Sequence, residues 1–274
     1  MDVISNLPAF DLVGVDFDAS GKKLLDTVTL QIPKGKLTAI LGSNGAGKST
    51  LVKLLAGQLA PTRGQLNFFG QSLTELSPLT LARSRSVLPQ ATAVPFAFSV
   101  EEIVRLGRSP HGDISRSAPI IERCLSHVDA LHLRKRAVNT LSGGEAQRVH
   151  LARALCQIDG QPSPTILLDE PTSALDPYHQ HHVLDLVHKN VAGGTTAIAV
   201  LHDLNLALQY ADTAILLERG KVLASGPINQ VLTAESIRSA FNVEPYFTTM
   251  PHTRTRAVLL TKNQNALPNA NESH

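Results

Sequence analysis

The chain has 274 residues, enough for one large α/β domain or two small ones, and its 43% apolar content suffices for a sizeable core. With 25 Lys+Arg against 23 Asp+Glu, the formal net charge is only +2, which excludes the basic excess of a nucleic-acid groove or a polybasic membrane anchor. The longest apolar stretches, such as Thr195 to Leu201 and Ala214 to Leu217, are strand-sized and fall well short of the roughly 18 residues of a membrane-spanning helix.

The chain opens with Met-Asp-Val-Ile-Ser-Asn-Leu-Pro, an acid where a signal peptide needs a basic segment, so the protein is expected to stay in the cytoplasm. Residues 10 to 32 alternate apolar and polar positions around Ala19-Ser20-Gly21, the pattern of an antiparallel hairpin with one solvated face. Leu37 to Leu41 is a short apolar run ending in a glycine loop, and Ser49 to Gly57 has helical periodicity with leucines at 51, 54 and 55. From Pro78 to about Leu133, Arg and Ser join Leu at helical spacing and Pro89, Pro95, Pro110 and Pro119 punctuate short segments, which predicts a helical insertion. Within it lies Cys124; neither it nor Cys156 has neighbours at metal-ligand spacing, and both read as small buried apolar residues in a reducing compartment. Thr165 to Leu168, Thr196 to Leu201 and Thr213 to Leu217 read as buried strands separated by helix-length segments, which predicts βαβ units and a parallel sheet. Past Thr261 the chain is Asn-rich and polar, the composition of a frayed tail.

Gly42-Ser43-Asn44-Gly45-Ala46-Gly47-Lys48-Ser49-Thr50 stands between the first apolar run and its helix. Glycines there let successive backbone N–H groups point at a phosphate while the helix presents its positive end. Lys48 is expected to bridge the β- and γ-phosphates of ATP and Ser49 to coordinate Mg²⁺, with Thr50 just behind. The strand Thr165 to Leu168 ends in Asp169 and Glu170. Neighbouring acids at a strand end face opposite ways, so Asp169 is assigned to the Mg²⁺ shell and Glu170 to the attacking water.

Leu141-Ser142-Gly143-Gly144-Glu145-Ala146-Gln147-Arg148 resembles the signature motif of ABC-type ATPases. Gln90 looks like that family's Q-loop glutamine, Ser173-Ala174-Leu175-Asp176 like its D-loop, and His202 like its switch histidine; the resemblance spans roughly residues 10 to 245. It implies an α/β fold: a RecA-like P-loop core over about 1–90 and 141–245 with an N-terminal antiparallel β subdomain. An α-helical subdomain at about 91–140 is inserted, and a C-terminal extension and polar tail occupies 246–274. It also implies a head-to-tail homodimer in which ATP on Gly42–Ser49 of one copy is capped by Ser142, Gly143 and Gly144 of the other, with Asp176 alongside. A Ser-Gly-Gly turn opening a helix is in its own right both an anion site and, with Glu145 at the third helical position, a capping box. Gln90 would reach Mg²⁺ or water and couple nucleotide state to the insertion, and His202 would reach the γ-phosphate. Two positions depart from the usual pattern: Phe17 is the only nearby candidate to stack on adenine and reads equally as sheet core, and Glu145 replaces the commoner glutamine.

A single free nucleotide domain best suits the ATPase subunit of an importer that assembles with separate permease subunits, against an exporter or a soluble translation or repair factor. Val100-Glu101-Glu102-Ile103-Val104-Arg105-Leu106-Gly107-Arg108-Ser109-Pro110-His111 looks like a segment typical of iron-siderophore, haem and cobalamin importer ATPases. His202-Asp203-Leu204-Asn205-Leu206-Ala207 and Val231-Leu232-Thr233 match the same subgroup. Val87-Leu88-Pro89-Gln90, Pro95 to Val100 and Asp159 to Pro164 are similar to haem importers. The resemblance therefore implies haem (hemin) import, with ferric siderophore or cobalamin as the alternative substrates, from the cytoplasmic face of the bacterial inner membrane. Two permease copies would be the partners and a periplasmic substrate-binding protein an indirect one, with no nucleic acid and no direct contact with haem. His179, His181, His182 and His188 lie just after the D-loop, where a solvated helix is expected rather than a ligand set.

Overall fold

In the computed structural model, which describes residues 7–90, 98–112, 117–173, 175–251 and 255–262, strands Phe10–Ala19 (β1) and Lys22–Ile32 (β2) form the expected hairpin. Ser20 and Gly21 both have positive φ, 51° and 74°, the turn geometry that matches the twist of the flanking strands. Alternation along the pair buries Phe10, Leu12 and Val15 with Leu25, Val28, Leu30 and Ile32.

Leu37–Gly42 (β3) is buried at every position because it runs through the middle of a second sheet, covered on both faces. The phosphate loop follows it and leads into Lys48–Leu55 (α1). Arg63–Phe68 (β4) and Gln71–Ser72 (β5) then complete the first sheet in the order β2-β1-β4-β5.

The predicted helical insertion from Pro78 needs one correction. Pro78–Ser84 (α2) is helical, capped by Ser77, but Arg85–Leu88 (β6) is an edge strand of the central sheet. Val100–Leu106 (α3) and Ala118–His127 (α4), downstream of that strand, both pack on Gly143–Ile158 (α5). Glu101 of α3 pairs with Arg134 at 2.8 Å, holding the loop after α4. Cys124 and Cys156 are free and buried where α4 packs on α5, as expected.

Thr165–Asp169 (β7), Pro177–Ala192 (α6), Thr196–Val200 (β8), Leu204–Tyr210 (α7), Thr213–Glu218 (β9) and Lys221–Pro227 (β10) complete the core. The six-stranded order is β10-β9-β3-β8-β7-β6, parallel except for the edge strand β10. Register aligns Ile40, Val200 and Asp169 across β3, β8 and β7. The phosphate loop, the two acids and His202 therefore leave one carboxyl edge of the sheet, where ligands bind in open α/β folds. Side chains of β3 alternate between two cores, Leu37, Ala39 and Leu41 toward the helices and Ile40 toward α1 and the β subdomain. Each fully buried leucine contributes about 1.5–3 kcal/mol, which makes this edge a stiff platform.

Ile228–Val231 (α8), Ala234–Phe241 (α9) and the hairpin Val243–Thr249 (β11) with Arg256–Lys262 (β12) follow. The hairpin is pinned to α7 by Asn205, whose side chain accepts from Val258 N at 2.8 Å and donates to Val258 O at 3.1 Å. The tail assigned past Thr261 falls, from residue 263 onward, outside the described residues, as do Pro95, Phe96 and Ala97. Among the described residues no helix is long and apolar enough to cross a membrane.

Candidate functional site

Gly42 has φ +144° and a Cβ there would run into the carbonyl of Leu217. Gly47, at φ +102°, would place a Cβ 2.8 Å from Leu24 O and 2.9 Å from Leu25 Cδ2. Only glycine fits at both, so the loop wraps tightly enough to turn its amides inward. From outside, Gly220 N donates to Ala46 O at 3.0 Å and Gly220 O accepts from Asp26 N at 2.8 Å, tying the loop to the β9–β10 turn and to β2.

Lys48 is buried, and its Nζ donates to Gly42 O at 2.8 Å and Ser43 O at 2.9 Å. Burial pushes its pKa down, opposed by the charges of Glu170 and Asp169. A lysine held this way sits inside the cradle as a positive charge ready for a phosphate.

Ser49 Oγ donates to Asp169 Oδ1 at 3.4 Å, uniting α1 with the end of β7. Asp169 is buried, and that burial, followed by the charge of Glu170, pushes its carboxyl above the usual range despite Ser49, Lys53 and Lys48. A hydroxyl and a carboxylate form an oxygen donor pair of the kind a hard divalent ion takes with few protein ligands. One residue on, Glu170 Oε1 lies 2.7 Å from His202 Nε2 and Oε2 accepts from Gln90 Nε2 at 2.8 Å. Lys48, Gln90, Glu170 and His202, which follow the ends of β3, β6, β7 and β8, are thus brought together at one edge of the sheet.

Ser142 caps α5 and forms a complete capping box with Glu145: Glu145 N donates to Ser142 Oγ at 3.2 Å and Ser142 N to Glu145 Oε2 at 2.8 Å. Gly143 and Gly144 open the helix beside it, leaving free N–H groups at its positive end. Asp176 caps α6 by accepting from His179 N at 3.0 Å, while Ala174 of the same loop lies outside the described residues. Phe17 is half-buried on β1 directly across from Leu25, the residue that walls Gly47.

The histidines of α6 differ from the solvated set expected. His179 Nδ1 bonds Asp176 Oδ2 at 2.7 Å, His181 Nδ1 bonds the Tyr210 hydroxyl at 2.9 Å, and His182 stacks on Tyr178; only His188 is exposed. Two of these contacts stay within α6 and its cap, and His181 alone of the four reaches α7, the helix packed beside it.

Two features had no signal in the sequence. Gln147 Nε2 donates to the carbonyl of Glu170 at 3.1 Å. A groove of about 710 Å³ between α2, β6 and α5 is lined by Leu81, Arg85, Arg153 and Gln157. Burial lowers the Arg85 pKa to about 10, and the Nε atoms of Arg85 and Arg153 have no partner among the described residues.

A family model described as ABC transporter matches residues 25–173. The chain is 44% identical over 236 residues to a protein of Pseudomonas entomophila named hemin import ATP-binding protein HmuV, covering 85% of this chain and 92% of that one. A protein of the same name from Deinococcus radiodurans is 42% identical over 247 residues, 89% of this chain and 94% of that one. Among solved structures, an inward-facing transporter described as metal-chelate type ABC matches with TM-score 0.77 and 27% identity, over 93% of this chain and 96% of that chain. An ATP-binding cassette of an ABC transporter in its ADP conformation shares the fold at TM-score 0.73 and 24% identity, over 86% of this chain and 98% of that chain.

Proposed function

Because this chain belongs to the ABC transporter family, as an ATP-hydrolysing subunit, we propose that it energises the import of haem (hemin) through a separate permease. The observation that carries the substrate is the 44% identity, over most of both chains, to proteins named for hemin import. A ferric siderophore or cobalamin is the second reading, favoured by the likeness to a metal-chelate type transporter.

ATP would lie on Gly42, Ser43, Asn44, Gly45, Ala46, Gly47, Lys48, Ser49 and Thr50, with Phe17 against the adenine. Mg²⁺ would be held by Ser49 directly and by Asp169 and Gln90 through water; bound there it would neutralise the phosphate charge. Ser142, Gly143, Gly144 and Asp176 of a second copy would close the site. Lys48 stabilises negative charge on the transferred phosphoryl group, Glu170 accepts a proton from the attacking water, and His202 orients the γ-phosphate.

Closure around two nucleotides draws the helical insertions together, and these grip cytoplasmic loops of two permease copies. The groove of about 710 Å³ beside α2, β6 and α5 supports this reading, since it offers a seat for a partner loop between core and insertion. ATP does work because it binds the closed state better, an affinity difference that biases a two-state assembly. The subunit would sit on the cytoplasmic face of the inner membrane, linked to a periplasmic binding protein only through the permease, with no contact with haem.

The test is uptake into proteoliposomes holding the permease and this subunit, with ATP on the side of the ATPase. Hemin should accumulate, and ferric siderophore and cobalamin should not. Preferential uptake of either of those would replace the substrate.

A further inference from the structure

Glu170 has φ +56°, a left-handed conformation that a glutamate adopts only when its surroundings impose it. The restraint acts on its backbone: Glu170 O accepts from Ser173 N at 3.3 Å, from Ser173 Oγ at 3.1 Å and from Gln147 Nε2 at 3.1 Å. The two serine contacts are local and follow from the turn. The Gln147 bond comes from another element, reaching from the second turn of α5 across 23 residues of sequence. Its direction is fixed by chemistry, because a carbonyl only accepts, so the amide must present its nitrogen; its oxygen is buried with no partner among the described residues.

Gln147 follows Ser142 by five positions on one continuous helix, roughly 7.5 Å along its axis. That ladder is stiff, so a shift of the α5 N-terminus is carried to the Gln147 amide. The carboxylate of Glu170 is meanwhile engaged at both oxygens, by His202 and Gln90, and must be re-aimed to take a proton from water. Rotation of the Glu170 peptide decides where that carboxylate points.

We propose that Gln147 is a positioning residue for hydrolysis: it holds the Glu170 peptide in its left-handed conformation and aims the carboxylate only when α5 occupies its closed position. The α5 end that closes on one nucleotide thereby governs the base at the other. This rests on the reading of Glu170 as the base, which Glu170→Gln tests separately; full activity in Glu170→Gln would remove that reading whatever Gln147 does.

Gln147→Met keeps the length and removes the donor. It should lower kcat for ATP at least tenfold with KM within threefold, and Gln147→Met in a Glu170→Gln background should still form the ATP-bound dimer. Gln147→Glu supplies a readout that mere packing would not move, since its carboxyl can donate only when protonated. Its kcat relative to wild type should rise several-fold between pH 8 and pH 6. The proposal is overturned by a kcat within threefold of wild type in Gln147→Met, by a parallel loss of ATP binding and kcat, or by a flat pH ratio in Gln147→Glu. If Gln147→Met does not fold, the pH ratio decides alone.

Discussion

Glu170 and His202 meet carboxylate to imidazole at 2.7 Å, while the other oxygen of Glu170 is held by Gln90 at 2.8 Å. Both oxygens of the proposed base are thus engaged by the residues proposed to contact γ-phosphate and water, and the carboxylate must be re-aimed to take a proton. Glu170→Gln keeps the hydrogen bonds and removes the proton acceptor. Its kcat should fall by roughly 100-fold or more, within the usual worth of a general base, and an ATP-bound dimer should persist through size-exclusion chromatography. Unchanged turnover would assign the base elsewhere.

Asp169 carries a conflict between stability and function. Burial and then Glu170 push its carboxyl up, so its ionised form is disfavoured in the fold and stability is lost as pH rises above the ordinary aspartate range. Asp169→Asn removes that unfavourable charge and should stabilise the nucleotide-free protein by roughly 0.5–2 kcal/mol, raising Tm by about 2–4 °C per kcal/mol. The same variant should lose hydrolysis and most of the added stability that Mg-ATP confers on the wild type. Differential scanning calorimetry with and without Mg-ATP reads both, and a less stable nucleotide-free variant would contradict the reading.

His150, buried on α5, has no partner for either ring nitrogen among the described residues. Burial, followed by the charge of Arg153, lowers its pKa to about 4. The unfolded chain binds a proton near the ordinary histidine value while the native state does not. Stability is therefore full above about pH 6.5 and is lost as pH falls toward 4, by about 2 kcal/mol at pH 5. Urea unfolding at pH 7.5 and pH 5 should show that loss in the wild type and a much smaller one in His150→Leu; equal losses would place the acid sensitivity on other groups.

Glycines, lysine and serine between an apolar run and an amphipathic segment made the phosphate loop legible, because each has one steric or electrostatic reason to be there. The same held for the acids ending β7 and for the capping box at Ser142. Strand β6 was hidden, since Arg85-Ser86-Val87-Leu88 is too short and polar to announce itself and is held by pairing with β7 and by Arg85 donating to Leu55 O at 3.1 Å. The β11–β12 hairpin escaped notice because its outward residues, among them Tyr246 and Leu259, break the polar-out alternation. Nor does any pattern of residue types foretell a glutamate at positive φ or the bond from Gln147 that steadies it, which joins two separate elements.

The shared site itself is tested by mixing two defective copies, Lys48→Ala and Ser142→Arg, each in a Glu170→Gln background and each with its own affinity tag. Paired with each other, they leave one intact combination of phosphate loop and signature turn, whereas neither alone can build one. The account predicts that doubly purified mixed dimers retain a single ATP per dimer after rapid desalting, and that neither homodimer retains any. Mixed dimers that hold no more ATP than Ser142→Arg alone would mean that each copy carries a self-contained site.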